Sequence, residues 1–241
     1  MTIGLFFLIF FILIAIGAPM ALVFGGMSFL PGMLSASVPY TIDAAVRSMF
    51  SSLNSFTMLA VPLFMLSGVI MARGGISKKL FDFFAYFIGN KTAGLPCAVV
   101  LTCMFYGAIS GSSPATVSAV GAMCIPFLTS LNYDLVFATS IVTVAGGLGV
   151  IIPPSISYIV YSGASDTSPS DLFIAGILPG ILIGLCLCVC CYLHCLKSGE
   201  DKEKLKENYE ALHKLGFGAV FKESFAALLT PVIILGSIYG G

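Results

Sequence analysis

Two short stretches carry residue types that could hold solutes. The first is Ser110-Gly111-Ser112-Ser113-Pro114-Ala115-Thr116. Serine hydroxyls and freed carbonyls are hard oxygen ligands suited to a small cation such as sodium, and glycine lets the chain expose them. Pro114 fits the first turn of a following helix, whose unpaired amides and positive dipole end suit an anionic group. One tip therefore offers something to both charges. The second stretch is Gly146 to Ser155, holding Gly146-Gly147-Leu148-Gly149 and Pro153-Pro154-Ser155, with Thr143 one turn upstream. Glycines and paired prolines stop continuous helical hydrogen bonding and release carbonyls that can complete a cation site or line a cavity. Both have plainer readings: serine and glycine also allow close helix packing, and a glycine-proline run is also a kink. Their occurrence together favours the solute-holding reading, because paired interrupted apolar segments point to a midplane binding site.

Other polar residues have weaker claims. Five of the eight cysteines, Cys186, Cys188, Cys190, Cys191 and Cys195, crowd into one apolar run near His194. Zinc needs thiolates, which an apolar medium disfavours, so these and Cys97, Cys103 and Cys124 read as small packing or lipid-facing residues. Apart from His194 near a helix end, the apolar segments contain no Asp, Glu, Lys, Arg or His. That removes an intramembrane proton relay or acid-base pair. No nucleophile has a nearby base, so an enzyme is not expected. Asp134 and Asp171 stand where helices should begin and read as caps. Arg73 to Lys79 reads as a basic topological anchor.

The elements that must position these residues follow from composition. Of 241 residues, 58% are hydrophobic and 9% charged, and the mean hydropathy is +1.05. A soluble domain carries roughly 25% charged residues, so this chain is solvated by lipid. Zero net charge and the lack of a basic patch interleaved with aromatics remove nucleic acid as a partner. The amino-terminal apolar stretch lacks a basic flank and continues past Gly17-Ala18-Pro19, so it reads as a retained helix rather than a signal peptide.

The expected fold is an all-α membrane protein with one re-entrant helical hairpin and one discontinuous helix. About 20 apolar residues cross the hydrocarbon as a helix. Residues 1–72 hold the first spans, a scaffold: Ile3 to about Leu34, bending at Pro19, and Leu53 to Met71. Residues 73–94 give a polar turn and an amphipathic helix, Leu80 to Ile88, lying on the membrane surface. Residues 95–129 form the hairpin, each half too short to span alone. Residues 134–163 form the broken span and 171–196 a clean one. Residues 197–223 are a charged loop. Residues 224–241 start a further helix, with Ala226 to Ile238 too short to cross comfortably.

Charge sets an expected orientation. With Arg73, Lys78, Lys79 and Lys91 inside, the hairpin enters and leaves on the inner side, and the lysines of Lys197 to Lys222 return there. The loop carrying Asp43 and Arg47 and the loop carrying Asp166 and Asp171 stay outside, as positive-inside bias requires. The amino terminus is then cytoplasmic.

At these residues the chain resembles the large membrane (permease) subunit of tripartite ATP-independent periplasmic (TRAP) transporters, in its amino-terminal half. The matching stretches are Val61-Pro62-Leu63-Phe64-Met65-Leu66-Ser67-Gly68, Arg73-Gly74-Gly75-Ile76-Ser77, Gly107-Ala108-Ile109-Ser110-Gly111-Ser112-Ser113-Pro114-Ala115-Thr116, Ile151-Ile152-Pro153-Pro154-Ser155-Ile156 and Leu172-Phe173-Ile174-Ala175-Gly176-Ile177-Leu178-Pro179-Gly180. They run in the family's order through nearly the whole chain.

The resemblance implies uptake of a small carboxylate, a dicarboxylate or sugar acid, driven by sodium as coupling ion, with no other cofactor. It implies an elevator-type transport domain in a bacterial inner membrane, a small four-helix membrane subunit and a periplasmic substrate-binding protein. It places Ser110 to Ala115 at the ion and substrate site, with the Gly146 to Pro154 break beside it. The family has two inverted repeats and this chain supplies one, so a fragment, a truncated product or half of a split protein is expected. The alternatives are a sodium/dicarboxylate carrier without a binding protein and a non-transporting scaffold or inactive fragment.

Overall fold

The computed structural model describes residues 3–34, 42–54, 56–165, 167–214 and 216–240. They are helical, with no strand among them, as expected for an all-α membrane protein. Asp166 lies outside the described residues. The chain divides into two compact units, Met1–Ser55 and Phe56–Gly241.

In the first unit, Ile3 to Leu34 is not one bent span. It is two helices, α1 (Ile3–Ala15) and α2 (Met20–Leu34), folded back on each other. Gly17 takes a left-handed φ of 81°. Its N–H reaches the Ile14 carbonyl while the Ala18 N–H reaches that of Leu13, a helix stop that Pro19 makes final. Phe10 and Phe24 then meet with ring centroids 5.7 Å apart. The stretch carrying Asp43 and Arg47, expected as a loop, is helix α3 (Ile42–Leu53), with Asp43 in its first turn.

The second unit is organised around one rod. A short 3-10 turn, Phe56–Leu59, leads into α4 (Ala60–Arg73). Helix α5 (Ile76–Ile88) follows, then α6 (Gly94–Ser110) and α7 (Ser113–Ser130). Helix α8 (Leu135–Gly146), a 3-10 turn (Gly147–Val150) and α9 (Ile156–Ser165) form the broken segment. The last three helices are α10 (Pro169–Ser198), α11 (Lys202–Lys214) and α12 (Phe217–Tyr239). Helix α6 packs against α4, α5, α7, α8, α10 and α12. It is apolar on every side, which suits a helix with no lipid or water face of its own, and Val99, Cys103, Tyr106 and Ile109 are fully buried.

Helix α5 buries its apolar stripe, Leu80, Phe81 and Ala85, and packs on α6 and α12. Three expectations need correction. The hairpin halves are longer than expected, and α7, at 18 residues, qualifies as a span by length and composition; that is about 27 Å of helix. The charged loop is mostly helix α11. Finally, the segment after it is not short, because α12 runs for 23 residues from Phe217 and carries Lys222 and Glu223 in its opening turns.

Helix α10 shows how lipid and protein divide one span. Leu178, Leu182, Leu185 and Leu193 are exposed, as side chains solvated by acyl tails should be. Gly176, Gly180 and Gly184 recur every four residues on the opposite side and are buried. A methyl at Gly176 would come within 2.5 Å of the Ile151 carbonyl oxygen, and one at Gly184 within 2.4 Å of Met104. Without a hydrophobic drive between helices in lipid, this small-residue ridge supplies the close packing instead.

The two feet of the hairpin are held together from a distance. The Glu200 carboxylate, between α10 and α11, accepts the Ala93 N–H at 3.0 and 3.1 Å at the start of α6. It also accepts the hydroxyl of Tyr133, just beyond α7. Beside it, Asn132 donates to Asp201 at 2.9 Å, and Lys204 donates to the Ser130 carbonyl at 3.1 Å and to Asn132 at 3.0 Å. Both ends of the α6–α7 pair therefore lie on the same side as the charged segment, with the tip at the far end. Asp134 caps α8 by accepting the Phe137 N–H at 3.0 Å, and Asp171 sits in the first turn of α10.

Candidate functional site

The tip is a two-residue break. Helix α6 stops at Ser110 because Gly111 adopts a left-handed φ of 63°, its N–H still bonded to the Gly107 carbonyl at 2.8 Å. Ser112 is extended, with φ −141° and ψ 124°, and α7 starts at Ser113 with Pro114 in its first turn. Three oxygens converge inside this bend. Ser110 Oγ and Thr116 Oγ1 are 3.0 Å apart. The Ser112 carbonyl oxygen lies 3.3 Å from the first and 2.9 Å from the second, accepting from each. Ser110 and Thr116 are both buried.

The second break is fitted against the first. The Ser113 hydroxyl donates to the Gly146 carbonyl at 3.0 Å, where α8 ends. The Ile156 N–H, at the start of α9, donates to the Gly111 carbonyl at 3.2 Å. Only glycine permits the approach: a methyl on Gly107 would stand 2.6 Å from the Gly149 Cα, and one on Gly149 would stand 2.7 Å from Thr116 Oγ1. Three of the carbonyls at the break have partners. Gly146 has Ser113, Leu148 has the Ile151 and Ile152 N–H groups, and Val150 has the Ser155 hydroxyl at 2.7 Å. Irregular backbone at membrane depth is tolerated on that condition.

Beside the tip, α4, α6 and α7 enclose a cavity of 380 Å³. Its wall is mostly apolar, with Met65, Val69 and Ala119, and its polar lining comes from Arg73, Tyr106, Ser110, Ser112 and Ser118. This is the usual make-up of a small-ligand pocket, at the small end of the size range. The Tyr106 hydroxyl is spent on the Gly68 carbonyl at 3.3 Å, fastening α6 to α4.

The expected site residues divide. Ser110, Ser112 and Ala115 line the cavity. Gly111 and Ser113 join the tip to the second break, and Gly146, Gly149 and Pro154 pack against it. Pro114 is exposed. Three residues are not brought to the tip. Thr143 is exposed with its hydroxyl bonded back to the Thr139 carbonyl at 2.8 Å, Gly147 faces open space, and Pro153 lines a separate apolar cavity with Met104 and Ile177.

Residue-type reasoning overlooked Tyr106 and Ser118, and it took Arg73 for an anchor. The signal available for Arg73 was a charge directly after an apolar segment, which does not reveal the tip beside it. Elsewhere, His194 stacks on Phe137 with ring centroids 3.8 Å apart, and the described residues contain no His, Cys, Asp or Glu group able to hold a metal ion.

Residues 7–241 match the family described as Tripartite ATP-independent periplasmic transporter, DctM component. The chain belongs to the TRAP large-permease family. It is 37% identical over 232 residues to the isethionate TRAP transporter permease protein DctMQ of Oleidesulfovibrio alaskensis, covering 96% of this chain and 35% of that one. It is 40% identical over 206 residues to the C4-dicarboxylate TRAP transporter large permease protein DctM of Pseudomonas aeruginosa, covering 84% and 46%. The protein of the same description from Vibrio cholerae is 35% identical over 242 residues, covering 100% of this chain and 52% of that one. The chain thus spans about half the length, or less, of these relatives. As a TRAP large permease it is a multi-pass membrane protein, and its α6–α7 tip and α8–α9 break fall within the matched residues.

Proposed function

We propose that this TRAP large permease forms part of a sodium-coupled importer of a small organic acid in a bacterial inner membrane, with its amino terminus in the cytoplasm. The observation that carries the reading is the junction of the two interrupted helices, where Ser113 meets Gly146 and Gly111 meets Ile156 beside an open cavity. At such a junction the hydroxyl and carbonyl oxygens of Ser110, Ser112 and Thr116 suit a desolvated cation. The unpaired amides in the first turn of α7 suit a carboxylate in the same cavity. Ser110 to Ala115 and Gly146 to Pro154 form the ion and substrate site on this reading. Sodium offsets part of the carboxylate's charge at membrane depth.

Two relatives named for C4-dicarboxylates and one for isethionate support a small anionic substrate, a dicarboxylate foremost. The partners proposed with it are a small four-helix membrane subunit and a periplasmic substrate-binding protein. The test is uptake of labelled succinate into proteoliposomes with and without a sodium gradient, the chain being supplied alone and with those partners. Ser112→Leu is expected to abolish sodium-dependent uptake while the protein still inserts and purifies. Uptake that ignores sodium in the unaltered protein would remove the coupling part of the reading.

A further inference from the structure

We infer that Arg73 is the residue that selects for a second carboxylate on the substrate. The inference rests on the tip cavity being the substrate site and goes beyond it by assigning specificity to a side chain outside the tip. Arg73 closes α4 and contributes to the same 380 Å³ cavity as Ser110, Ser112 and Ser118. It is the only charged residue among those lining it. Among the described residues it has no ion pair, since the sole salt bridge joins Lys206 and Glu210 on α11, and no hydrogen-bond acceptor is bonded to its guanidinium.

An arginine at the end of a helix has an ordinary explanation, attraction to the negative end of the helix dipole. That role needs only positive charge and is served equally by lysine. The cavity asks for more. Its oxygen-rich end at Ser110 and Ser112, with Thr116 behind them, suits a cation, and its amide donors lie in the first turn of α7. One carboxylate of a substrate can lie against those donors. A second, further from the tip, meets Arg73 and the hydroxyl of Ser118 in the cavity wall. The planar fork of a guanidinium binds a carboxylate with two parallel hydrogen bonds, which an ammonium cannot reproduce.

The test uses the full chain purified into lipid nanodiscs, with labelled succinate as probe and unlabelled butyrate, of equal length but with one carboxylate, as competitor. Arg73→Gln is expected to weaken succinate binding by at least about tenfold while leaving competition by butyrate unchanged, because hydrogen bonds to charged groups are lost only for the dicarboxylate. Arg73→Lys keeps the charge and the dipole attraction, and should recover only part of the loss. Full recovery by lysine, or succinate affinity within about twofold of the unaltered chain in the glutamine variant, overturns the assignment while leaving the tip as substrate site. An equal loss for succinate and butyrate also overturns it. Succinate binding that is lost in Arg73→Gln yet insensitive to replacing sodium by choline supports the assignment and removes sodium coupling instead. Failure of the unaltered chain to bind either acid overturns both readings.

Discussion

Ser113 on α7 gives its hydroxyl to the carbonyl of Gly146 on α8, 3.0 Å away and 33 residues along the chain. The bond joins the first residue after one interruption to the last residue before the other. Deleting it leaves a carbonyl short of a partner at membrane depth. Ser113→Ala is expected to lower stability by about 1–3 kcal/mol, read as a lower midpoint of thermal aggregation in detergent. Ser113→Leu adds bulk where α7 meets the break and, on the proposed function, eliminates sodium-dependent uptake with membrane insertion unchanged. Sodium dependence that survives the leucine would count heavily against the tip as the ion site.

Backbone approach at Gly107 and Gly149 sets a second expectation. A methyl at Gly107 meets the Gly149 Cα at 2.6 Å, and neither atom belongs to a side chain that can turn away. Gly107→Ala should therefore cost about 1–3 kcal/mol, as overpacking does. Gly147 has nothing within 4 Å of the corresponding position, and Gly147→Ala serves as the control, with a thermal midpoint close to that of the unaltered chain. Equal behaviour of the two variants would mean that the two helices do not approach as described.

The clasp at the feet of the hairpin makes a third. Ala93 N–H and Tyr133 O–H both donate to Glu200, and glutamine offers one acceptor oxygen where the carboxylate offers two. Glu200→Gln should destabilise by about 1.5–3 kcal/mol, the range for a bond to a charged group. A double-mutant cycle with Tyr133→Phe should return a coupling above about 0.5 kcal/mol. Additive effects would show that the two groups do not share a bond.

Alkaline pH should loosen the same clasp. Burial, and then its bond to Glu200, push the Tyr133 phenol above its ordinary value of 10.0. A phenol whose folded value is raised contributes its stability in full below the unfolded value, and that contribution drains away as pH rises above it. The difference in thermal midpoint between the unaltered chain and Tyr133→Phe is expected to hold from neutrality to about pH 10 and to shrink above it. A difference that shrinks on acidification instead would assign the titration to another group.

What could be read in advance follows from which residues break helices. Gly111 with Pro114, and Gly146 to Pro154, announce interruptions through backbone chemistry alone, and both interruptions are in the structure. Gly17-Ala18-Pro19 is chemically similar, yet whether such a signal means a bend or a full reversal depends on the Phe10–Phe24 contact, which belongs to tertiary packing. Charge misled in the other direction. Lys202–Lys214 reads as a loop because it is polar, but it spaces Leu205 and Leu212 on one helical face and buries the former. Lys222 and Glu223 hid the start of α12 for the same reason. Arg73 was legible as a charge and not as a cavity wall, since its neighbours Ser110 and Ser118 come from helices 37 and 45 residues further on.

The bond from Ala93 to Glu200 closes across 107 residues. At a translation rate of roughly 5–20 residues per second, the ribosome needs on the order of 5–20 s after making the first partner to reach the second. Throughout that interval the base of the hairpin has no carboxylate to cap it, and the Tyr133 hydroxyl has none to donate to. The hairpin thus gains the fastening of its two feet only after α10 has been made.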